Sequence, residues 1–387
     1  MTKFDKIHLK TIKSIIDKND AETLKKYIVI NKIDINSNFS LSDNQSDSIF
    51  FYATRKFQLD IVKYLITIDG IKVDTPNTNH VTPILHSIAM GKEEIFDVIM
   101  QHPQPGLKYA GTSSESMYPL TRASQARNLR MVKAITEHPD NSFELCQNQP
   151  LFFALSNKQT EIGLYLVKHP RFDPYALGAG RNAFEYACET YNFKVLKAIL
   201  DLPKFDPSIL WKKRFKIDKS DQDVFKPIWW HPFEFKSSMK WDGKLADIVF
   251  NHPKIDVNQK DEESKTLIGN HWEVDIQHIT FELLVKNKKV DIYSLNSNGK
   301  TVLEEILLSY KNENLLDHIY ERRVNALVYR TIKEKPENLN EQCERLVELK
   351  VSNKYKDYAL GTFRHAILQK SLHKECSREI KRVTSKI

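Results

Sequence analysis

The sequence predicts an all-α protein built from repeated helix pairs that stack into a solenoid. Segments beginning at Pro150 and Ala183 follow one pattern, and their later residues Pro170 and Pro203 are again 33 residues apart. A fixed period of this size is typical of stacked-repeat proteins. The charge pattern supports a division of the chain, because residues 1–321 are electrically balanced and only residues 322–387 are basic.

Each unit is predicted to contain two short antiparallel helices. A proline opens the first helix, since proline costs little in the first helical turn, and alanine replaces it in one unit. A second proline ends the second helix, because it forces the preceding residue out of the α conformation. Four consecutive units have the same spacing of 20 residues, which pairs Pro83 with Pro103, Pro119 with Pro139, Pro150 with Pro170 and Ala183 with Pro203.

The second helix of each unit is predicted to have one apolar face. Apolar residues recur 8, 7, 4 and 3 positions before the closing proline, as in Val195, Leu196, Ile199 and Leu200. This is the 3.6-residue period of an amphipathic helix. One helix pair cannot bury such a face alone, so neighbouring pairs must stack.

The units nearest the N-terminus are less regular. Residues 9–36 are predicted to form a capping helix pair, and residues 48–74 a looser unit in which Ser48 replaces the opening proline. Terminal repeats are expected to differ from the others, because one of their faces must tolerate water.

The sixth unit carries an insertion at residues 207–243, where Asp206 and Pro227 are 21 residues apart instead of ten. Two hypotheses stay open for its many aromatic residues. They bind a partner as the aromatic anchors typical of interfaces, or they fill a small core that the insertion needs. Burial of Trp229, Trp230 and Trp241 would exclude the first. The candidate partner-binding residues are Trp211, Trp229, Trp230, His231, Phe233 and Trp241.

The loops and helix starts resemble the ankyrin repeat. Thr82, Pro83, Ile84 and Gly91 match the motif of its first helix, and the loop motif is matched by Asn296, Gly299, Thr301 and Leu303. The resemblance covers about residues 10–321, or about eight to nine units. It departs from the family where His-Pro replaces the glycine after the second helix. It implies an ankyrin-like solenoid with an irregular C-terminal helical cap, and non-catalytic protein binding on the concave face and loops.

The C-terminal region, residues 322–387, holds 16 Lys and Arg against 8 Asp and Glu. It is either a helical cap or a separate interaction element. We do not expect a nucleic-acid partner, because acidic residues are interspersed and no basic run exceeds two, although binding to nucleic acid or an anionic surface stays an alternative. Leu372, Cys376 and Ile380 are similar in spacing to the elongin-binding box of some ubiquitin-ligase substrate adaptors, which gives a second alternative.

No catalytic motif, cofactor or metal site is predicted. Repeat stacking would hold the rings of the recurrent His-Pro histidines about 10 Å apart, too far for one metal ion. We expect each to bond free carbonyls at a helix end instead. These histidines are His102, His138, His169 and His252.

The location predicted from composition is the cytoplasm. The four cysteines show no paired spacing, which favours reduced thiols, and neither a signal peptide nor a membrane span is predicted. The expected partner is one or more proteins, including host proteins if the source is a parasite, symbiont or virus.

Overall fold

The computed structural model describes residues 3–42, 45–109, 118–141, 143–178, 180–213, 224–230, 243–262, 264–270, 278–309, 317–351 and 353–384. Helices make up 59% of the structure, which confirms the predicted all-α class. The chain forms two compact units, residues 1–202 and 203–387. None of the described helices is long and apolar enough to cross a membrane.

The first unit contains six helix pairs. They are α1 (Lys3–Asp17) with α2 (Ala21–Ile30), α3 (Ile49–Arg55) with α4 (Leu59–Leu65), α5 (Pro83–Ala89) with α6 (Glu93–Ile99), α7 (Pro119–Gln125) with α8 (Leu129–Glu137), α9 (Gln149–Ser156) with α10 (Thr160–Lys168), and α11 (Ala183–Glu189) with α12 (Phe193–Asp201). A short antiparallel hairpin of β1 (Asn38–Ser42) and β2 (Gln45–Ser48) precedes α3.

The helices of the first unit form two layers. The first helices of successive pairs, α3, α5, α7, α9 and α11, pack in series, and so do several of the second helices. Fully buried aromatic side chains, among them Phe50, Phe96 and Phe184, lie in the core. This stacking is the predicted repeat architecture.

The prolines act as the sequence predicted. Pro83 and Pro119 are the first residues of their helices, and Pro150 lies in the first turn of α9. At the other end, His138 and His169 have extended backbone directly before a proline, so α8 and α10 stop there. The apolar face of α12 is confirmed as well, since Val195, Leu196, Ile199 and Leu200 are all fully buried.

A left-handed residue turns the chain between the two helices of every pair in this unit. Its φ is positive, between 52° and 63°, and only one of the six is a glycine. Left-handed backbone is unfavourable for residues with a side chain, so the turn is set by the packing of the pair rather than by glycine. The six residues are Asn19, Phe57, Gly91, Arg127, Lys158 and Tyr191.

The second unit continues with helix pairs and then changes. Its elements are β3 (Leu210–Lys213), β4 (Val224–Pro227), α13 (Gly243–Phe250), α14 (Leu267–Asn270), α15 (His278–Lys286), α16 (Val302–Ser309), α17 (Asp317–Glu334), α18 (Leu339–Glu348) and α19 (Lys354–Thr384). Strands β3 and β4 form an antiparallel hairpin within the predicted insertion. The second helices α13, α15 and α17 pack in series.

The C-terminal helices pack on the last repeats of this unit. Helix α17 contacts α15 and α16, and α19 contacts α17 and α18. Buried apolar residues extend along these helices as far as Phe363. Helix α17 runs through the predicted boundary at residue 321, which stays a prediction.

Candidate functional site

The loops between helix pairs share one aspartate-based turn. In each copy the carboxylate accepts a hydrogen bond from the backbone N–H two residues later, at 2.9–3.0 Å. Aspartate favours this local turn because its short side chain reaches its own backbone. The five copies are Asp34, Asp173, Asp206, Asp256 and Asp291.

A second turn completes three of the loops. The backbone N–H groups of Asn77, Asp261 and Asn296 each donate to the carbonyl four residues later, at 2.9–3.0 Å. The three side chains also accept a hydrogen bond from the N–H of that residue. A left-handed residue, Ser264 or Gly299 in the later copies, closes the turn. The loops are therefore regular structures with fixed backbone positions.

Amide side chains link several of the loops to their neighbours. Asn36 donates to the carbonyl of Gly70 at 2.9 Å and accepts from the N–H of Lys72 at 2.8 Å. Asn258 makes the equivalent pair of bonds in the second unit, to the carbonyl of Lys289 at 2.8 Å and the N–H of Asp291 at 2.6 Å. One amide thus fixes the spacing of two successive loops.

The loops at residues 140–148 and 173–181 are held together most closely. The Asn148 amide donates to the carbonyls of Asp173 and Ala176, at 3.2 and 2.6 Å. Gly178 approaches so near that a Cβ there would be 2.8 Å from the backbone of Asn148. The Tyr186 hydroxyl donates to the Gly178 carbonyl, and burial raises the pKa of Tyr186 to about 12.

The loops of the second unit are linked in the same way. Gln259 donates to the carbonyl of Ser208 at 2.6 Å and accepts from the indole Nε1 of Trp229 at 3.1 Å. The Lys260 ammonium donates to the carbonyl of Leu295 at 2.8 Å. Three successive loops, at residues 208, 259 and 295, are therefore joined.

Exposed aliphatic side chains lie on these linked loops. In the first unit, Leu145 is 52% exposed and Leu177 is 39% exposed. In the second unit, Ile209 is 38% and Leu295 is 43% exposed. Three of them follow a closing proline by six or seven residues, so they occupy nearly the same place in the repeat. We call these four residues the loop aliphatics.

Two of the predicted anchors require a correction. Trp229 and Trp230 are fully buried in a 3-10 turn, Ile228–Trp230, which stands where earlier pairs have their first helix. Their rings pack edge to face, and Trp229 also meets Phe250. Both are core residues and are not available as surface anchors. For Trp229 the signal was in the sequence, because Pro227 aligns with the opening prolines and the second position after them is buried in most pairs. Trp230 stands at the third position, which is buried in only one of the four earlier pairs, so no such signal marked it.

The other predicted anchors are not tested by these observations. The backbone of Trp211 lies in β3 and pairs with Lys226, but its side chain lies outside the described residues. His231, Phe233 and Trp241 lie outside the described residues altogether. Partner binding by these four residues stays a prediction.

The predicted tail motif lies on α19. The side chain of Leu372 is 55% exposed. The backbone at Cys376 and Ile380 is helical, and their side chains lie outside the described residues.

Part of the basic charge in the tail is used inside the protein. Arg323 and Arg330 are buried, and Arg345 forms an ion pair with the buried Glu304 at 2.8 Å. These three cations are only weakly accessible to an external polyanion.

The His-Pro histidines have a structural role that the sequence did not predict. In each copy Nδ1 accepts a hydrogen bond from the N–H two residues later, at 3.1–3.3 Å. The predicted bond to helix-end carbonyls stays a prediction. The ring nitrogen bridges the proline and so fixes the first residues of the loop. Within the described part of the chain, no group of three or more His, Cys, Asp or Glu could hold a metal ion.

The sequence did not identify the loop aliphatics, and it implied a role for loops only through the family resemblance. Their signal is weak, because a single aliphatic residue in a polar loop is common. The recurrence of one such residue after successive closing prolines could have revealed them.

Comparisons with known proteins were made at three levels. No protein-family model matches this sequence, and no curated protein matches it. Solved structures similar to the chain include the human ASB11 ankyrin repeat domain, with 12% identity, a TM-score of 0.36, and coverage of 66% of this chain and 89% of that one. Another is the ankyrin repeat domain of Bcl-3, a member of the IkappaB family, with 13% identity, a TM-score of 0.38, and coverage of 66% and 92%.

Both TM-scores lie below 0.5, so these two likenesses add nothing to the repeat architecture described above. The helix pairs themselves carry the classification, with prolines opening their first helices, left-handed turns inside the pairs and aspartate turns between them. On these features, the chain has an ankyrin-like repeat fold.

Proposed function

We propose that this protein is a non-catalytic interaction module that binds a partner protein through its inter-repeat loops. The observation that carries the proposal is the recurrence of the loop aliphatics on loops with fixed backbone positions. Single exposed aliphatic residues are ordinary, but repeated placement on the linked loops of each unit is what a solenoid binding surface requires.

The links between loops favour tight binding. A flexible loop loses conformational freedom when it binds, and that cost reduces affinity. Here Asn148 and Gly178 already fix the loops that carry Leu145 and Leu177, and Gln259 and Lys260 fix those of the second unit. The aliphatic side chains are therefore presented with little ordering left to occur.

The insertion and the tail extend this proposal. Trp211, His231, Phe233 and Trp241 remain candidate contact residues, while the buried Trp229 and Trp230 are excluded. The partner is a protein of the source cell or, for a parasite, symbiont or virus, a host protein. The experiment below identifies it.

The test compares two loop variants with a matched control. Leu145→Ser with Leu177→Ser alters the first unit, and Ile209→Ser with Leu295→Ser alters the second. The control, Leu308→Ser with Tyr329→Ser, changes side chains that are as exposed but lie on helices. Affinity purification from the source cell, with quantitative mass spectrometry, measures the recovered proteins.

We expect at least one loop variant to reduce recovery of a partner about tenfold or more, because burial of two aliphatic side chains supplies more than the 1.4 kcal/mol of a tenfold change. The control should retain that partner. Retention of every partner by both loop variants, with circular dichroism unchanged, would refute the proposal.

A second candidate function is substrate adaptor in ubiquitin ligation, which the exposure of Leu372 favours. A groove-binding helix must present such a side chain to its partner. Purified elongin complex should bind the wild-type chain and lose affinity for Leu372→Ala, whereas Leu308→Ala should bind normally. Absence of wild-type binding would exclude this role.

A further inference from the structure

A groove runs between α18 and α19 at the C-terminal end of the second unit. Its volume is about 700 Å³. Cys343, Val347, Ile367 and Leu368 form its apolar part, and Val347 and Leu368 are 55% and 61% exposed. The groove therefore has the composition of an interface rather than of an ordinary surface.

Helix α19 continues past Phe363, the last of its described side chains that is buried. Phe363 is fully buried, but no side chain between residues 364 and 374 is, and Leu372 is 55% exposed. We call residues 364–374 the extension. A helix of this length gains little from exposure of its apolar side chains, so a surface that covers them would stabilise it.

The two surfaces carry opposite charge. The exposed acidic residues of α18 are Glu341, Glu344 and Glu348, while its one arginine pairs with Glu304. Arg364 lines the groove beside Glu344 and Glu348, which leaves the groove with a net negative charge. Beyond the groove, the extension holds Lys370 and Lys374, both exposed, and no acidic residue. Each surface thus combines an apolar centre with a charge that complements the other.

We infer that a second copy of this chain binds here, with the extension of each copy lying in the α18–α19 groove of the other. Leu368 belongs both to the groove and to the extension, so one two-fold axis near it brings both contacts together. In such an isologous dimer the same surface of each copy forms the interface. Each chain contributes both its acidic groove and its basic extension. This inference is independent of partner binding by the loops.

The test uses the full chain and two charge reversals. Glu344→Lys with Glu348→Lys makes the groove basic, and Lys370→Glu with Lys374→Glu makes the extension acidic. All four side chains are exposed, so the core is unchanged. A control, Glu94→Lys with Glu161→Lys, makes the same charge change on exposed residues of the first unit. Sedimentation equilibrium over a concentration series gives the dimer dissociation constant.

We expect the wild-type chain and the control to dimerise, and each reversal alone to weaken the dimer tenfold or more. Mixing the two reversed chains should restore association, because each then presents a charge that the other complements. The loop variants should leave the dimer unchanged, so failure of loop binding and failure of dimerisation are distinguishable. A wild-type monomer at every concentration, a dimer that survives both reversals, or a mixture that does not associate would each overturn the inference.

Discussion

The helix pairs of residues 83–201 and the helices after residue 317 both bury one apolar face, but different interactions fix them. In the repeats the ends of the helices are fixed by local devices, namely prolines, helix caps and left-handed turns. In the C-terminal helices, long side chains reach distant backbone. Arg330 donates to the carbonyls of Val285 and Val290, at 3.0 and 2.6 Å, and Asn353 donates to that of Leu307.

This difference explains why the same helix pair can recur along the chain. It also explains why the last pair is stabilised by other interactions. A local device works in every copy, because it depends only on nearby sequence. The final repeat exposes backbone groups that no next repeat will cover, and specific side chains must satisfy them. Arg345 does so at the carbonyl of Gly299.

The largest effect is expected when the hydrogen bonds of Arg330 to distant carbonyls are removed. Arg330→Met keeps most of the side-chain volume but leaves two carbonyls without a donor, and hydrogen bonds from a charged group are among the strongest. We expect a loss of about 3 kcal/mol in the free energy of unfolding of the C-terminal helices. Urea denaturation of the full chain, with hydrogen exchange to localise the change, measures it.

The matched control is Arg322→Met, which removes an exposed ion pair with Glu282. Exposed ion pairs contribute about 0–1 kcal/mol, so its effect should be small. Equal losses for the two variants would contradict the assigned role of Arg330.

A smaller effect tests the close approach of loops in the repeats. Gly178→Ala places a methyl group against the backbone of Asn148, and backbone cannot move aside as a side chain can. We expect a loss of about 2 kcal/mol, as for other overpacked sites, measured as a lower urea midpoint.

The corresponding control, Gly361→Ala, is expected to raise the free energy of unfolding instead of lowering it. Gly361 lies in α19 with no atom within 4 Å of the Cβ position, so alanine there should stabilise the helix by up to about 1 kcal/mol. A neutral Gly178→Ala would show that the loops are free to separate.

The smallest effect concerns pH in the same loops. Burial raises the pKa of Tyr186 to about 12 in the folded protein, above its value near 10 in the unfolded chain. The unfolded chain therefore releases the proton first as pH rises, and stability present below pH 10 is lost up to about pH 12. An ionised Tyr186 also cannot donate to Gly178.

Tyr186→Phe should flatten this part of the stability profile and cost about 1 kcal/mol at neutral pH for the lost hydrogen bond. Urea midpoints between pH 8 and about 11 provide the measurement. An unchanged slope in the variant would assign the alkaline loss to other groups.

Sequence reasoning succeeded where structure depends on neighbouring residues. Pro83 and Pro119 open helices as predicted, and the apolar face of α12 is buried as predicted. It failed for Trp229 and Trp230, because residue type suggested an interface. The position of Trp229 after Pro227 indicated the core, whereas no local pattern marked Trp230. The contacts of Arg330 could not be predicted, since its acceptors are 40 and 45 residues away and no local pattern marks them.

In the candidate site, too, the features set by neighbouring residues were predictable and those set by the stacking of helices were not. The aspartate of each loop was visible in the sequence, but its link to the next loop through Asn36, Asn148 or Asn258 depends on the spacing of stacked helices. Exposure of Leu145 or Leu177 likewise depends on which side of the loop faces solvent, which the sequence does not encode locally.

The left-handed turns have a consequence for how this protein could change over time. Five of the six turns in the first unit use residues with a side chain, each at a cost of about 1 kcal/mol relative to glycine. Glycine at an exposed turn such as Lys158 would recover that energy without altering the loops. Substitution of these residues by glycine would thus increase stability. That gain could offset destabilising substitutions by which the loop surface acquires a new specificity.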